Sequence, residues 1–327
     1  GGDRRRGSGQ HLEGGPERGR PAGQQRRGET ATGSQGPRGR KGRTLTPTTE
    51  TRNAPAPNPT TPRLDLARVR SQRETHPGFF WLTLELPPDY PDVLPGQYLN
   101  LRCGGRLERL FRRPFGVVEF RREGAAAVVE LYYGVVGSGT AAMARWREGD
   151  RVDCLGPLGT GYTVDPGRPA VLVAGGRGAA PLLYLYRILR EQGQHAIRFA
   201  FGARTKELLF GLERLDSDRL LTATDDGSAG HRGTVIEALE VSRPGWLADG
   251  GVLYVCGPEA LLAGAAALAA RHGLGCQVSF EGIYGCGLGL CRGCAVPLRD
   301  EARYLMQCVE GPVVDAARID WERMPRE

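Results

Sequence analysis

Between residue 63 and about 166 the chain alternates short apolar runs with glycine, proline and charge. The runs "FFWLTLEL" (79–86), "GQYLNLRC" (96–103), "RPFGVVEF" (113–120), "AAVVELYYGVV" (126–136) and "DRVDCLGPLG" (150–159) are rich in β-branched and aromatic residues. Runs of this kind between turn residues predict strands, and their even spacing predicts a small antiparallel barrel. One helix, over about 139–146, interrupts them, with "SGT" supplying an N-terminus whose N–H groups are free. From about 168 the period changes. "PAVLVAGGRGAAPLLYLYRILREQG" (169–193) reads as a buried strand, a glycine turn and a long helix opening near Pro181. "AIRFAFGAR" (196–204), "LLTATDDG" (220–227) and "GVLYVCGPEALLAGAAALAARHG" (251–273) continue the alternation. Strands alternating with helices predict a parallel, doubly wound sheet that binds ligands at the carboxyl ends of its strands. Beyond about 274 only short strands around a cysteine loop are expected, with little apolar mass of their own.

The predicted organisation is therefore a tail (1–62), a β-barrel (63–166), an α/β domain (167–273) and a small C-terminal lobe (274–327). A chain of 327 residues has room for this. Charge sharpens the first boundary. The net charge is +7, and residues 1–62 hold twelve of the 44 basic and five of the 37 acidic side chains, so the rest is neutral. With almost no large apolar residues, the tail cannot offset its ordering entropy and is predicted to be disordered. It lacks the interleaved aromatics of a base-stacking segment, and the neutral body argues against a nucleic-acid partner. Neither an initiating Met nor an apolar leader is visible, so the tail reads as an upstream reading-frame artefact or a dispensable extension. The apolar stretch "ALLAGAAALAA" (260–270) is too short to span a bilayer. A cytoplasmic protein without membrane contact is expected.

Half of the eight cysteines fall in "EGIYGCGLGLCRGCAVPLRDEARYLMQC" (281–308). Cys286, Cys291, Cys294 and Cys308 read C-x4-C-x2-C-x13-C, the plant-type [2Fe–2S] spacing with a distant fourth ligand. Gly285, Gly287, Gly289 and Gly293 let the loop curl and bring backbone N–H groups close to sulfur. A zinc site, which favours two similar C-x2-C knuckles, and plain core cysteines are the competing readings. A disulfide pair is disfavoured because nothing marks secretion. Cys103, Cys154, Cys256 and Cys276 sit singly in apolar surroundings, as small buried hydrophobes do.

"GGRG" at 175–178 departs from G-x-G-x-x-G, but lies between a strand and a helix whose N-terminus can hold a pyrophosphate. Gly175, Gly176 and Gly178 are candidate nucleotide contacts. "CGPE" (256–259) ends a strand where a nicotinamide would sit, which adds Cys256 and Gly257; a simple chain turn is the alternative. "RRPFGV" (112–117) and "YYGVVGSGT" (132–140) offer a cation, aromatics and a helix start, the elements a flavin needs. An arginine snorkelling off a barrel and tyrosines facing its core would look the same.

Taken in order, "RRPFGV", "GSGTAAMARWREGDRVDCLGPLGTGY", "LVAGGRGAAPLL", "FGARTKELL", "ATDDGSAGHRGTV", "YVCGPEALL", "CGLGLCRGCAV" and "CVEGPVVDAARIDW" resemble the electron-transfer subunit of class 1B dihydroorotate dehydrogenase. That subunit belongs to the ferredoxin–NADP reductase superfamily, and the similarity covers about 63–327. The resemblance implies an FAD-binding barrel, an NAD-binding sheet and a [2Fe–2S] lobe. Arg113, Pro114, Phe115 and Gly116 fall on the family's flavin-binding Arg-Pro-x-Ser, with Gly116 replacing the Ser. Tyr132, Tyr133 and Gly134 fall on the strand beside the flavin, Gly139 and Thr140 on the Gly-Thr facing the pyrophosphate, and the four cysteines on the cluster ligands. Tyr284 stands where the family's Glu-x-x-Met-x-Cys has Met.

The implied reaction is a relay. A partner, the FMN-containing catalytic subunit, oxidises dihydroorotate, and the assembly holds two copies of each subunit. Electrons reach NAD⁺, a diffusible substrate, through the cluster and FAD, because a flavin can exchange one electron or two. The chain shows no proton-transfer pair poised for substrate chemistry, so no catalytic side chain is expected. A relay of the same build serving sulfite reductase, a hydrogenase or a ferredoxin–NADP reductase is the nearest alternative. Ile283, Tyr284 and Leu288 are expected either as apolar anchors for the partner or as an internal cover for the cluster.

Overall fold

The computed structural model describes residues 61–105, 110–247 and 250–324. The expected tail therefore lies almost wholly outside the described residues. Six strands close the barrel in the order β1-β2-β5-β4-β3-β6. They are β1 (Arg63–His76), β2 (Phe79–Leu86), β3 (Tyr98–Leu101), β4 (Arg113–Glu123), β5 (Ala126–Gly134) and β6 (Arg151–Leu158). Leu82, Leu84, Leu99, Leu101, Leu131 and Val152 fill the interior. Five strands fall on the runs expected from the sequence. The first was not among them: Leu64 and Leu66 face solvent, whereas Ala67 and Val69 face the core. Its apolar residues thus change parity along the strand and show no period of two. The helix after β5, α1 (Ser138–Met143), is shorter than expected. Thr140 Oγ1 accepts the Val136 and Gly137 N–H groups at 2.9 and 3.3 Å and so fixes its start.

The second layer contains β7 (Ala170–Gly175), α2 (Ala179–Glu191), β8 (Ile197–Ala203), β9 (Leu220–Thr224), β10 (His231–Arg232), α3 (Val235–Ser242), β11 (Val252–Gly257), α4 (Glu259–His272) and β12 (Gly275–Phe280). The lobe adds a hairpin of β13 (Ala295–Pro297) and β14 (Tyr304–Met306), then α5 (Gln307–Glu310) and β15 (Val313–Asp315). The sheet order is β10-β9-β8-β7-β11-β12-β15, parallel except for the last pair. The sequence division at 273–274 thus separates β12 from β11, its parallel neighbour. Helix α2 opens at Ala179, two residues earlier than expected, with Pro181 in the first turn where no intrahelical N–H is needed. It lies between sheet and barrel, and the Tyr184 hydroxyl donates to the barrel-side Val93 carbonyl at 2.7 Å.

Candidate functional site

The barrel and the sheet enclose a cleft of about 370 Å³. Arg113–Gly116, Tyr132–Gly134 and Thr140 line one side; Arg177, Pro181, Cys256 and Glu281–Tyr284 line the other. Arg113 runs under the start of α1, and a Cβ on Gly139 would lie 3.1 Å from its Nε. Its guanidinium donates to the Phe111 carbonyl at 2.7 Å, and among the described residues no carboxylate pairs with it. An uncompensated guanidinium beside free helix N–H groups suits a phosphate. Tyr132 presents its ring at the cleft wall. Tyr133 is largely a core residue, stacked on Phe80 at 5.4 Å and donating to Gln72 Oε1 at 3.0 Å. A Cβ on Gly116 would meet only Pro181, at 3.5 Å, so its slot is open.

A second cleft, of about 770 Å³, lies at the carboxyl ends of β7, β8 and β11. Gly175, Gly176, Arg177, Arg204, Asp225, Thr234 and Pro258 are in its lining. The glycines are packing requirements. A Cβ on Gly178 would fall 2.3 Å from the Cys256 carbonyl oxygen, and one on Gly257 3.0 Å from the Gly175 Cα. Gly176, at φ +53, meets nothing and serves the turn alone. Cys256 is buried, and burial pushes its thiol well above the ordinary range, so it is a neutral wall.

Tyr132, Arg177 and Glu281 line both clefts. No motif marks Arg177, and Glu281 is marked only as the first residue of the Glu-x-x-Met-x-Cys stretch; only the fold brings the third residue of "GGRG" opposite the residue after β12. Glu281 opens onto the clefts but is crowded by protein. The residue is exposed by surface area, and the crowding of protein around the carboxyl raises it, which Arg177 offsets in part.

The cysteine loop folds against the outer face of β3. Cys286 lies beside Cys291, and Cys294 beside Cys308. Cys286 Sγ accepts the Leu288 and Cys291 N–H groups at 3.3 and 3.4 Å, and Cys308 Sγ accepts that of Gly289 at 3.3 Å. Burial pushes the Cys286 thiol up, but the Cys291 and Leu288 N–H groups prevail and hold it at about 6. Two thiol pairs ringed by amide donors fit two sulfide-bridged irons with two thiols each. Among the described residues no three metal-binding side chains converge on one ion. Cys294 and Cys308 are buried with Tyr98, Leu158 and Tyr284; Cys291 is exposed.

The structure decides between the two expectations for Tyr284 in favour of the internal cover. Tyr284 is not a surface anchor: its ring packs on Tyr98 at 5.0 Å and its hydroxyl donates to the Phe280 carbonyl at 3.1 Å. Ile283 and Leu290, by contrast, are 92% and 80% exposed. Leu288, Val309, Leu110 and Phe111 are exposed as well.

Barrel, doubly wound sheet and cysteine lobe define a flavin- and NAD-linked electron-transfer protein of ferredoxin–NADP reductase type. The fold is shared with a structure of an NADH-dependent reduced ferredoxin-NADP oxidoreductase, at TM-score 0.67 and 26% identity over 78% of this chain and 90% of that one. A ferredoxin NADP+ reductase from Neisseria gonorrhoeae with bound FAD and NADP matches in fold alone, at TM-score 0.55 and 15% identity over 66% and 99% of the two chains. The family model for the iron-sulfur cluster binding domain of dihydroorotate dehydrogenase B matches residues 281–320. The dihydroorotate dehydrogenase B (NAD(+)) electron transfer subunit of Desulforamulus reducens is 33% identical over 78% of this chain and 98% of its own length. That of Caldanaerobacter subterraneus is 30% identical over 77% and 97%. The chain belongs to this family of electron transfer subunits.

Proposed function

We propose that this chain carries electrons from the FMN of a dihydroorotate dehydrogenase catalytic subunit to NAD⁺, in a cytoplasmic assembly of two copies of each subunit serving UMP synthesis. The observation that carries the reading is the meeting of both clefts at Tyr132, Arg177 and Glu281, with the cysteine loop adjoining the first cleft through Ile283 and Tyr284. When bound, FAD exchanges hydride with NAD and single electrons with a [2Fe–2S] cluster.

The chain's own residues bind and orient. Cys286, Cys291, Cys294 and Cys308 hold the cluster, and the Leu288, Gly289 and Cys291 N–H groups solvate its sulfur. Arg113, Gly139 and Thr140 hold the flavin's phosphates; Tyr132, Gly134 and Gly116 shape the ring site, and Pro114, Phe115 and Tyr133 support it from the barrel. Gly175, Gly176, Gly178 and Gly257 keep the α2 N-terminus close to the dinucleotide, while neutral Cys256 excludes water beside the nicotinamide. In this division the barrel serves FAD, the sheet through β12 serves NAD, and residues 281–324 serve the cluster.

The test is purification without oxygen, followed by assay. Two irons, two labile sulfides and one FAD per chain are expected, with a rhombic EPR signal on reduction. The chain alone should oxidise NADH with artificial acceptors and leave dihydroorotate untouched; adding the catalytic subunit should give NAD⁺-dependent orotate formation. One zinc without sulfide would sink the ligand assignment. A relay that couples only to a sulfite reductase or hydrogenase subunit would sink the partner.

A further inference from the structure

Asn100 stands on the outer face of β3, two residues from Tyr98, whose hydroxyl donates to the Cys308 carbonyl at 3.1 Å. That face is the floor under the cysteine loop. Asn100 is fully buried, and neither carboxamide atom has a hydrogen-bond partner. Its Nδ2 faces the loop: a Cβ on Gly287 would fall 2.7 Å from it. Gly287 itself is held at φ +71 between Cys286 and Leu288, the residues whose Sγ and N–H meet at 3.3 Å. A buried carboxamide with both atoms unsatisfied is rare and calls for a partner. Its flanking positions, Leu99 and Leu101, are apolar core, and leucine would fill this site as well unless the amide were used.

We propose that Asn100 is a positioning residue for the iron–sulfur centre, donating its side-chain N–H to a sulfide of the cluster rather than to a cysteine sulfur, none of which it reaches in the structure. The inference rests on the reading that the four cysteines hold that centre. Reduction adds negative charge that spreads onto the sulfurs, so a donor stabilises the reduced form more than the oxidised one. Hydrogen bonds to sulfur are among the determinants of cluster potential. Asn100 therefore raises the potential at which the lobe accepts an electron, and Gly287 is required because any side chain there would displace the amide.

The experiment uses the full chain with asparagine labelled with ¹⁵N in the side chain. Asparagines stand at 53, 58 and 100, and the first two lie outside the described residues. Pulsed EPR of the reduced cluster should show a ¹⁵N coupling in the wild-type chain that is absent from labelled Asn100→Leu. The Leu variant should keep two irons while its reduced-to-oxidised ratio at fixed potential falls about tenfold, a drop of about 59 mV for one electron. Asn100→Asp should fall further, since it adds charge. A cluster-bearing wild type with no ¹⁵N coupling overturns the proposal, with Asn100 then bonded to buried water, and so does an unchanged potential in a Leu variant that keeps its irons. If the Leu variant fails to assemble, the wild-type coupling still decides. A wild type with no cluster signal at all would instead defeat the cysteine assignment.

Discussion

The rings of Tyr132 and Phe210 lie 3.7 Å apart, centroid to centroid, with their planes 15° from parallel. One belongs to barrel strand β5 and the other to the segment between β8 and β9, so a single aromatic layer joins the two domains. Trp81 and Phe201 meet Phe210 edge-on at 6.2 and 5.8 Å. Phe210→Ala should therefore destabilise the chain by about 3–5 kcal/mol and lower NADH oxidation by letting Tyr132 drift. Denaturant unfolding and steady-state kinetics measure both; a stable variant with normal kinetics would show the layer to be incidental.

The open slot at Gly116 gives a gain-of-contact prediction. Gly116→Ser meets Pro181 at an ordinary distance and should fold normally. One added neutral hydrogen bond is worth about 0.5–1.5 kcal/mol, so FAD should bind about two- to tenfold more tightly. Arg113→Ala should act in the opposite sense, because a charge-assisted contact worth about 1.5–3 kcal/mol is lost. Flavin titration reports both.

The exposed apolar rim of the cysteine loop predicts where the catalytic subunit docks. Leu288→Asp and Leu290→Asp, which line neither cleft, should suppress coupled orotate formation and spare NADH oxidation with artificial acceptors, since apolar anchors at the centre of an interface dominate binding. Tyr284→Asp should instead disrupt the lobe and release iron, because Tyr284 is internal. Equal coupled rates for the two rim variants and the wild type would place docking elsewhere.

Glu281 supplies a pH dependence with a definite sign. The protein packed around its carboxyl raises it, although the residue is exposed to the clefts and water there screens the effect. The folded chain therefore holds that proton somewhat more tightly than the unfolded chain, whose value is about 4.3. Below that value both states are protonated and the site costs nothing. As pH rises toward the folded value, wild-type stability declines relative to Glu281→Gln. The Tm advantage of the Gln variant should therefore grow from pH 4 upward and then level off. A Tm difference independent of pH would mean that the carboxyl is well solvated.

The sequence revealed what is local. Four cysteines with fixed spacing, glycines between them, and strand runs bounded by turn residues all declare themselves within a few positions. Residues joined only by the fold were silent. β1 hid because Leu64 and Leu66 lie on the face opposite Ala67 and Val69, so no alternation showed. Asn100 read as one more residue of a strand, and nothing in "YLNL" announces that its neighbour is Gly287. Phe210 sits outside any regular element, and its pairing with Tyr132 spans 78 positions. Tyr284 could be read inward or outward until Tyr98 was seen beneath it.

The polypeptide leaves the sheet after β12 and returns to it as β15, and these two strands are antiparallel neighbours. The return is tied to the barrel too, since the Thr160 N–H donates to the Gly311 carbonyl at 2.6 Å and its hydroxyl to that of Val313 at 3.1 Å. The cysteine loop is thus a stitch sewn down at both ends rather than a tethered pendant. A pendant carrier could ferry charge by swinging between donor and acceptor. A stitched one is fixed wiring, with its spacing to the flavin cleft set once by folding, and throughput then depends on how closely another molecule brings its own redox centre to the exposed rim.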